Sequence, residues 1–249
     1  MTTKSVIIAG DNLLAKELSK SFRDHPHVQV VDEQLRNVQV DVVIETTNLD
    51  KEEKKRRLQE IEASVSPTTL ILSTTLSVTA TEVASWLTTP ERVVGFGTFA
   101  NFKEGSLIEV SLPLQADRDY INQAATIFSL INQEVELVED EVGLVFPRIL
   151  SMIINEAAYA LTEQTAEAQS IDIAMKKGTN YPKGPLEWAA EIGLDDIYAV
   201  LSGLYRELGE ERYRPAPLIR KLVYAGWIGG ETDKCFYHYK KQSNKELSV

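Results

Sequence analysis

Apolar and polar positions along the 249-residue chain follow two different periods, and in the first half they mark short buried strands separated by helices. Residues 5–10, Ser-Val-Ile-Ile-Ala-Gly, form a β-branched run that stops at glycine, and a helical pattern over residues 13–22 follows at once. A second run, Val28, Val30 and Val31, ends in Asp32. Residues 41–45 and 69–73 predict further strands, with a charged helix over 51–63 between them. Strands and helices in alternation imply a parallel sheet. The carboxyl-terminal half has the helical period instead. Residues 149–168 predict one long amphipathic helix, and 170–175 the start of another with Ser170 as N-cap and Asp172 in its first turn. The expected architecture is a shortened Rossmann-like α/β domain over residues 1–141, followed by an all-helical domain over 142–249.

Composition adds mainly exclusions. With 43% hydrophobic and 25% charged residues the chain falls among ordinary globular proteins, long enough for a large core. Its net charge of −11 argues against a nucleic-acid surface and requires that any anion site be local. No apolar run approaches the roughly 18 residues of a bilayer span, and the amino terminus turns polar where a secretory signal stays apolar. No membrane association is expected, and the cytoplasm is the expected location. The single cysteine, Cys235, has no partner for an internal disulfide, which fits a reducing compartment. Mixed acids and bases over 51–63 predict a solvated helix face, and His25-Pro26-His27 predicts a solvated turn with no metal.

Candidate chemistry begins at the first glycine. An acid 22 residues beyond Gly10, at Asp32, has the spacing with which a dinucleotide fold holds the adenosine ribose hydroxyls of NAD. Against the phosphate-binding pattern G-x-G-x-x-G/A, the chain has Gly10, Asn12, Leu13 and Ala15: the first glycine is present, alanine fills the third place, and Asn12 replaces the second. A side chain at Asn12 must swing aside or block the approach of backbone to pyrophosphate. A plain βα unit with no nucleotide gives the same partial pattern.

Further motifs point to a family. Residues 92–110 read RVVGFGTFANFKEGSLIEV, and Ser73-Thr74-Thr75-Leu76 precedes them. Downstream lie Gly143-Leu-Val-Phe-Pro-Arg148, Tyr181-Pro-Lys-Gly-Pro-Leu-Glu-Trp188, Ile192-Gly-Leu-Asp195, Tyr213-Arg-Pro-Ala-Pro217 and Phe236-Tyr-His-Tyr239. In this order and spacing the chain resembles 3-hydroxyacyl-CoA dehydrogenases, across nearly the full length of their helical domain. The resemblance implies NAD-linked oxidation of a 3-hydroxyacyl-CoA to a 3-ketoacyl-CoA, with an acyl-CoA as substrate or ligand and a homodimer formed by apolar faces of the carboxyl-terminal helices. It places Glu109 at the position of the glutamate that orients the family's catalytic histidine, and Thr74 at that of a serine thought to contact the substrate oxygen. Gly97 stands at the histidine position and Pro147 at that of a polar asparagine. The alternatives are a catalytically silent relative that binds an acyl-CoA, a nucleotide or a protein, and a structural partner of another enzyme.

Overall fold

The computed structural model describes residues 3–31, 39–103 and 105–239. Its amino-terminal part is a seven-stranded sheet, and the order in which the strands lie follows from how they are connected. The strands are β1 (Lys4–Ala9), β2 (Val28–Val31), β3 (Val42–Glu45), β4 (Leu70–Thr74), β5 (Val93–Gly97), β6 (Leu107–Ser111) and β7 (Glu134–Leu137), in spatial order β2-β1-β3-β4-β5-β6-β7. Helices α1 (Leu13–Arg23), α2 (Lys51–Ser64) and α3 (Ala80–Ala84) lie in the connections among the first five strands, which are parallel to one another. Among the described residues no helix lies between β5 and β6, and the two strands pair antiparallel, Gly97 opposite Glu109. Helix α4 (Asp119–Ser129) joins β6 to β7, and that pair is again parallel. The parallel expectation therefore holds for β1 to β5, and β6 and β7 run the other way.

Period-2 alternation sends successive strand residues to opposite faces. Val6, Ile44 and Leu72 pack with Leu14, Leu18 and Phe22 of α1 and with Ile127 and Phe128 of α4. On the other face, Ile7 and Val43 meet Ile61 of α2, while Ile71 and Val93 meet Leu58 of α2 and Val83 of α3. Both faces are covered, as continuous apolar strands require.

A second core lies in the helical part, built by α5 (Phe146–Thr162), α6 (Ala168–Gly178), α7 (Pro185–Ile192), α8 (Leu194–Leu208) and α9 (Pro217–Tyr224). The helix expected over 149–168 is shorter: α5 ends at Thr162, and the second helix, expected from 170, is α6. Gln164 adopts a left-handed φ of 62°, and the Thr165 N–H reaches back to the Ala160 carbonyl, which closes α5. Glutamine stands where glycine usually signals such an end, so this stop is not legible from residue type. Helix α6 then starts two residues earlier than expected, with Glu167 rather than Ser170 at its N-cap position. None of the described helices is long and apolar enough to cross a membrane.

Asp172 has a different role from the one its place in α6 suggested. Its two carboxylate oxygens accept the Leu186 and Glu187 N–H groups, at 2.8 and 2.9 Å, so it caps α7 from a neighbouring helix. The Tyr237 hydroxyl donates to it as well, and the phenol is held well above its ordinary pKa, first by burial and then by this carboxylate. With Asp172 buried, Asp172→Ala leaves two helix-end donors and a phenol without their acceptor and is expected to cost about 1–3 kcal/mol in urea unfolding. An unchanged midpoint would mean that water replaces the carboxylate at no loss.

Candidate functional site

In an open α/β sheet a ligand crevice opens at the carboxyl ends of the strands where the strand order reverses. Here the first connection runs to one side of β1 and the next returns to the other, so the reversal lies between β1 and β3. Gly10 follows β1 with φ 142°, and a Cβ added there would lie 2.1 Å from Thr46 Oγ1, so no larger residue fits this turn. Asn12 comes next and caps α1, its Oδ1 accepting the Ala15 N–H at 3.0 Å and the Thr46 hydroxyl at 3.0 Å. Its Nδ2 donates to the Thr46 carbonyl at 2.8 Å. The side chain at the second glycine position is thus folded into the turn and occupies the end of α1.

The crevice is closed from above by the helical domain. Asp196, in the first turn of α8 and almost fully buried, accepts from Asn48 Nδ2 at 2.8 Å, and the Asn12 amide lies near enough to favour its charged form. Asn48 Oδ1 accepts from Thr74 Oγ1 at 2.6 Å, and Thr74 Oγ1 accepts from Lys54 Nζ at 3.1 Å. Lys54 also donates to the Thr47 carbonyl at 2.9 Å and to Glu45 Oε2 at 2.5 Å. Ser73 and the Thr47 N–H complete the acceptor needs of Glu45. One buried polar chain therefore runs from β3 and α2 through β4 to α8, joining the two domains.

The electrostatics of this chain follow from its burial. Lys54 and Glu45 are completely inaccessible, and desolvation lowers the Lys54 pKa while Glu45 opposes the shift. Desolvation, then the neighbouring Asp195 carboxylate, push Asp196 up to about 7, against the pull of Asn48, Lys54 and Asn12. Burial raises Asp195 too. Outside the seam a cleft of about 380 Å³ remains, lined by Asn12, Leu13, Asn48, Gly193 and Gly230 and by five carboxylates, with Lys16 among them.

A second cluster lies at β5 and β6. Residues 143 and 144 both have left-handed backbone, with φ 74° at Gly143 and 48° at Leu144, a conformation that is uncommon for leucine. That turn directs two N–H groups, of Val145 and Phe146, to the two oxygens of Glu109 at 2.7 and 2.8 Å, so the carboxylate sits at the start of α5. It also lays the Leu144 side chain over Gly97: a Cβ at Gly97 would lie 2.8 Å from Leu144 Cδ1. Leucine fills the space that a side chain at position 97 would need.

The sequence-predicted site residues therefore fall into two groups. Gly10, Asn12, Leu13 and Ala15 come together at the β1 turn, Thr74 joins them through Asn48 and Asp196, and Glu109 lies apart from that chain at the start of α5. Asp32 lies outside the described residues. Sequence reasoning missed Lys54, Asn48, Asp196 and Leu144. For Lys54 a signal existed: the expected solvated helix places Lys54, Leu58 and Ile61 on one stripe, and all three are buried. As a dinucleotide cradle the turn at Gly10 and the backbone of Leu13 and Ala15 fit. A pyrophosphate at the end of α1 does not fit while Asn12 and Asp196 hold their present places.

Residues 15–141 match the family model described as 3-hydroxyacyl-CoA dehydrogenase, NAD binding domain, and residues 143–239 match the C-terminal domain of the same family. The chain is 35% identical over 201 residues to a 3-hydroxybutyryl-CoA dehydrogenase of Bradyrhizobium diazoefficiens, covering 80% of this chain and 68% of that one. It is 31% identical over 238 residues to a probable 3-hydroxybutyryl-CoA dehydrogenase of Bacillus subtilis, covering 93% and 83%. Among solved structures, the (S)-3-hydroxybutyryl-CoA dehydrogenase of Ralstonia eutropha superposes with a TM-score of 0.73 at 26% identity, over 96% of this chain and all of that one. The fold is also that of M. tuberculosis FadB2, with a TM-score of 0.82 at 20% identity, over 96% and 100%.

Proposed function

Because the chain belongs to the 3-hydroxyacyl-CoA dehydrogenase family, we propose that it is a dehydrogenase-type protein that keeps the family's ligand-binding frame while the proton-transfer half of the reaction is disabled. NAD is the cofactor of the domain it carries. Bound there, NAD would supply the hydride acceptor for a secondary alcohol; Gly10, Leu13 and Ala15 would hold it, and Asp32 is proposed for the ribose hydroxyls. The ligand on the other side of the cleft is proposed to be a 3-hydroxyacyl- or 3-ketoacyl-CoA, the class on which the named relatives act.

One observation carries the reading. Oxidising an alcohol needs a base within hydrogen-bond reach of the hydroxyl proton. At Gly97 there is no such side chain, Leu144 covers the backbone, and Glu109 is engaged by two peptide N–H groups. Thr74 keeps a hydroxyl, and its proton is committed to Asn48, so we assign it to the seam between the domains. General acid/base catalysis contributes about 10²–10⁴-fold, and NADH consumption with acetoacetyl-CoA is expected to be lower by that factor than in a relative with histidine at the position of Gly97. Turnover equal to that relative's would sink the reading. The exposed apolar side chains Phe146 and Ile149 of α5 and Ile173 of α6 support a homodimer through the helical domain. A single cysteine, Cys235, with no partner for an internal disulfide, fits the proposed cytoplasmic setting.

A further inference from the structure

The crevice between β1 and β3 is filled by the protein's own side chains, and this has a consequence for the nucleotide. We propose that Asp196 and Asn12 are intramolecular competitors for the dinucleotide's place, so that NAD enters only when the start of α8 withdraws from Asn48 and Asn12. The inference rests on the reading that the amino-terminal domain serves NAD, and it concerns access rather than turnover.

Three observations carry it. The strand order puts the ligand crevice between β1 and β3, and Asn12 and Asn48 are the side chains that follow those two strands. Asp196 accepts from Asn48 at 2.8 Å, and its carboxyl lies near enough to Asn12 for that amide to lower its pKa, so one acid from the helical domain sits across the crevice between the two loops. The N–H of Ala15, one of the donors with which a helix end holds phosphate, is already bonded to Asn12 Oδ1. The carboxylate thus lies where an anionic ligand would be drawn, and the Asn12 amide takes the place of one phosphate contact. Gly203 of the same helix lies against Ser77 in the loop after β4, where a Cβ would be 2.5 Å from the Ser77 carbonyl oxygen, so α8 is seated closely on this domain.

The charged groups around Asp196 set how the plug responds to pH. Asp195 faces it from its own helix, Lys54 from α2 with Glu45 of β3 behind, and Asp11, Lys16, Asp50 and Glu53 line the adjoining cleft. In the seated form the Asp196 carboxyl keeps its proton up to about 7. Released into water, it would titrate near about 4. The seated form therefore binds more protons across that window, and raising the pH through it favours release. Below the window the plug is neutral and fully seated; above about 7 its burial is least favourable.

The test is a calorimetric titration of the full-length protein with NAD from pH 5 to 8.5. In the wild type the Kd is expected to fall by up to about tenfold per pH unit below 7 and to level off above it. Asp196→Asn, which keeps a neutral acceptor for Asn48, should bind weakly at every pH. Asp196→Ala should bind more tightly than the wild type at pH 5, with the slope lost. Asn48→Ala, which loosens the same contact from the other domain, should shift affinity in the direction of Asp196→Ala and serves if that variant does not fold. Asp195→Asn should keep the slope and move its midpoint to lower pH, because a like charge is removed. A wild-type Kd without pH dependence, or an Asp196→Asn variant that follows the wild-type curve, overturns the proposal. Failure of Asp196→Ala and Asn48→Ala to bind NAD at any pH also overturns it, and leaves the assignment of Gly97, Leu144 and Glu109 to be judged by turnover alone.

Discussion

Lys54→Ala is expected to lower the unfolding free energy by about 3–5 kcal/mol, more than any other single truncation in the sheet domain's polar interior. The cause is the charge left behind. Glu45 is wholly inaccessible, and without Lys54 its carboxylate keeps only Ser73 and one peptide N–H. Thr74 Oγ1 and the Thr47 carbonyl lose their donor in the same step. Lys54→Met combined with Glu45→Gln removes both charges at similar volume and should recover most of the loss, since the penalty is that of an unpaired buried charge rather than of missing packing. Urea unfolding of the two variants measures this. A Lys54→Ala protein within 1 kcal/mol of the wild type would mean that water reaches Glu45 in the native state.

Placing histidine back at position 97 is expected to fail by itself. Gly97→His drives a side chain into Leu144, which is buried and held by a left-handed backbone, so overpacking should cost about 1–3 kcal/mol. Glu109, the family's orienting position, is meanwhile held at the start of α5 by the Val145 and Phe146 N–H groups, and with Leu144 in the way the imidazole has no unstrained place beside Gly97 from which to meet it. Turnover of acetoacetyl-CoA should stay at the wild-type level. Gly97→His with Leu144→Ala opens the space, and its stability should return toward that of Leu144→Ala alone. Thermal unfolding and NADH consumption read the two halves separately. A stable single variant with a gain of about 10²-fold or more would show that Leu144 yields and that Glu109 can turn to the imidazole.

What could be read from the sequence divides along the range of the interactions. The strands around Val6, Val43 and Ile71 and the helix of Leu14, Leu18 and Phe22 were legible because their apolar period is local. Family motifs located Glu109 and Thr74, and the altered glycine pattern singled out Asn12. The antiparallel β6 and β7 were not foreseen, since the loop after Gly97 carries no signal of direction. Asn48 and Asp196 are 148 residues apart, and nothing near either one announces that they meet. Leu144 was hidden for another reason: its left-handed conformation is set by the Glu109 contact and not by a glycine or asparagine at that position. Asp172 was read as a first-turn acid of its own helix and not as the cap of α7, because a carboxylate inside α6 can reach the start of α7 only in the packed domain.

On the proposed reading the site receives the family's ligands yet offers no group to move the alcohol proton. The most direct test is isotopic: the wild-type protein is incubated at pH 8 with NADH deuterated at C4 and with acetoacetyl-CoA, and the CoA esters are weighed by mass spectrometry. Deuterium at C3 of 3-hydroxybutyryl-CoA is expected to accumulate about 10²–10⁴-fold more slowly than with a histidine-bearing relative, even where calorimetry registers binding of the ester. Steady accumulation of C3-deuterated product at the rate of a histidine-bearing relative would contradict it.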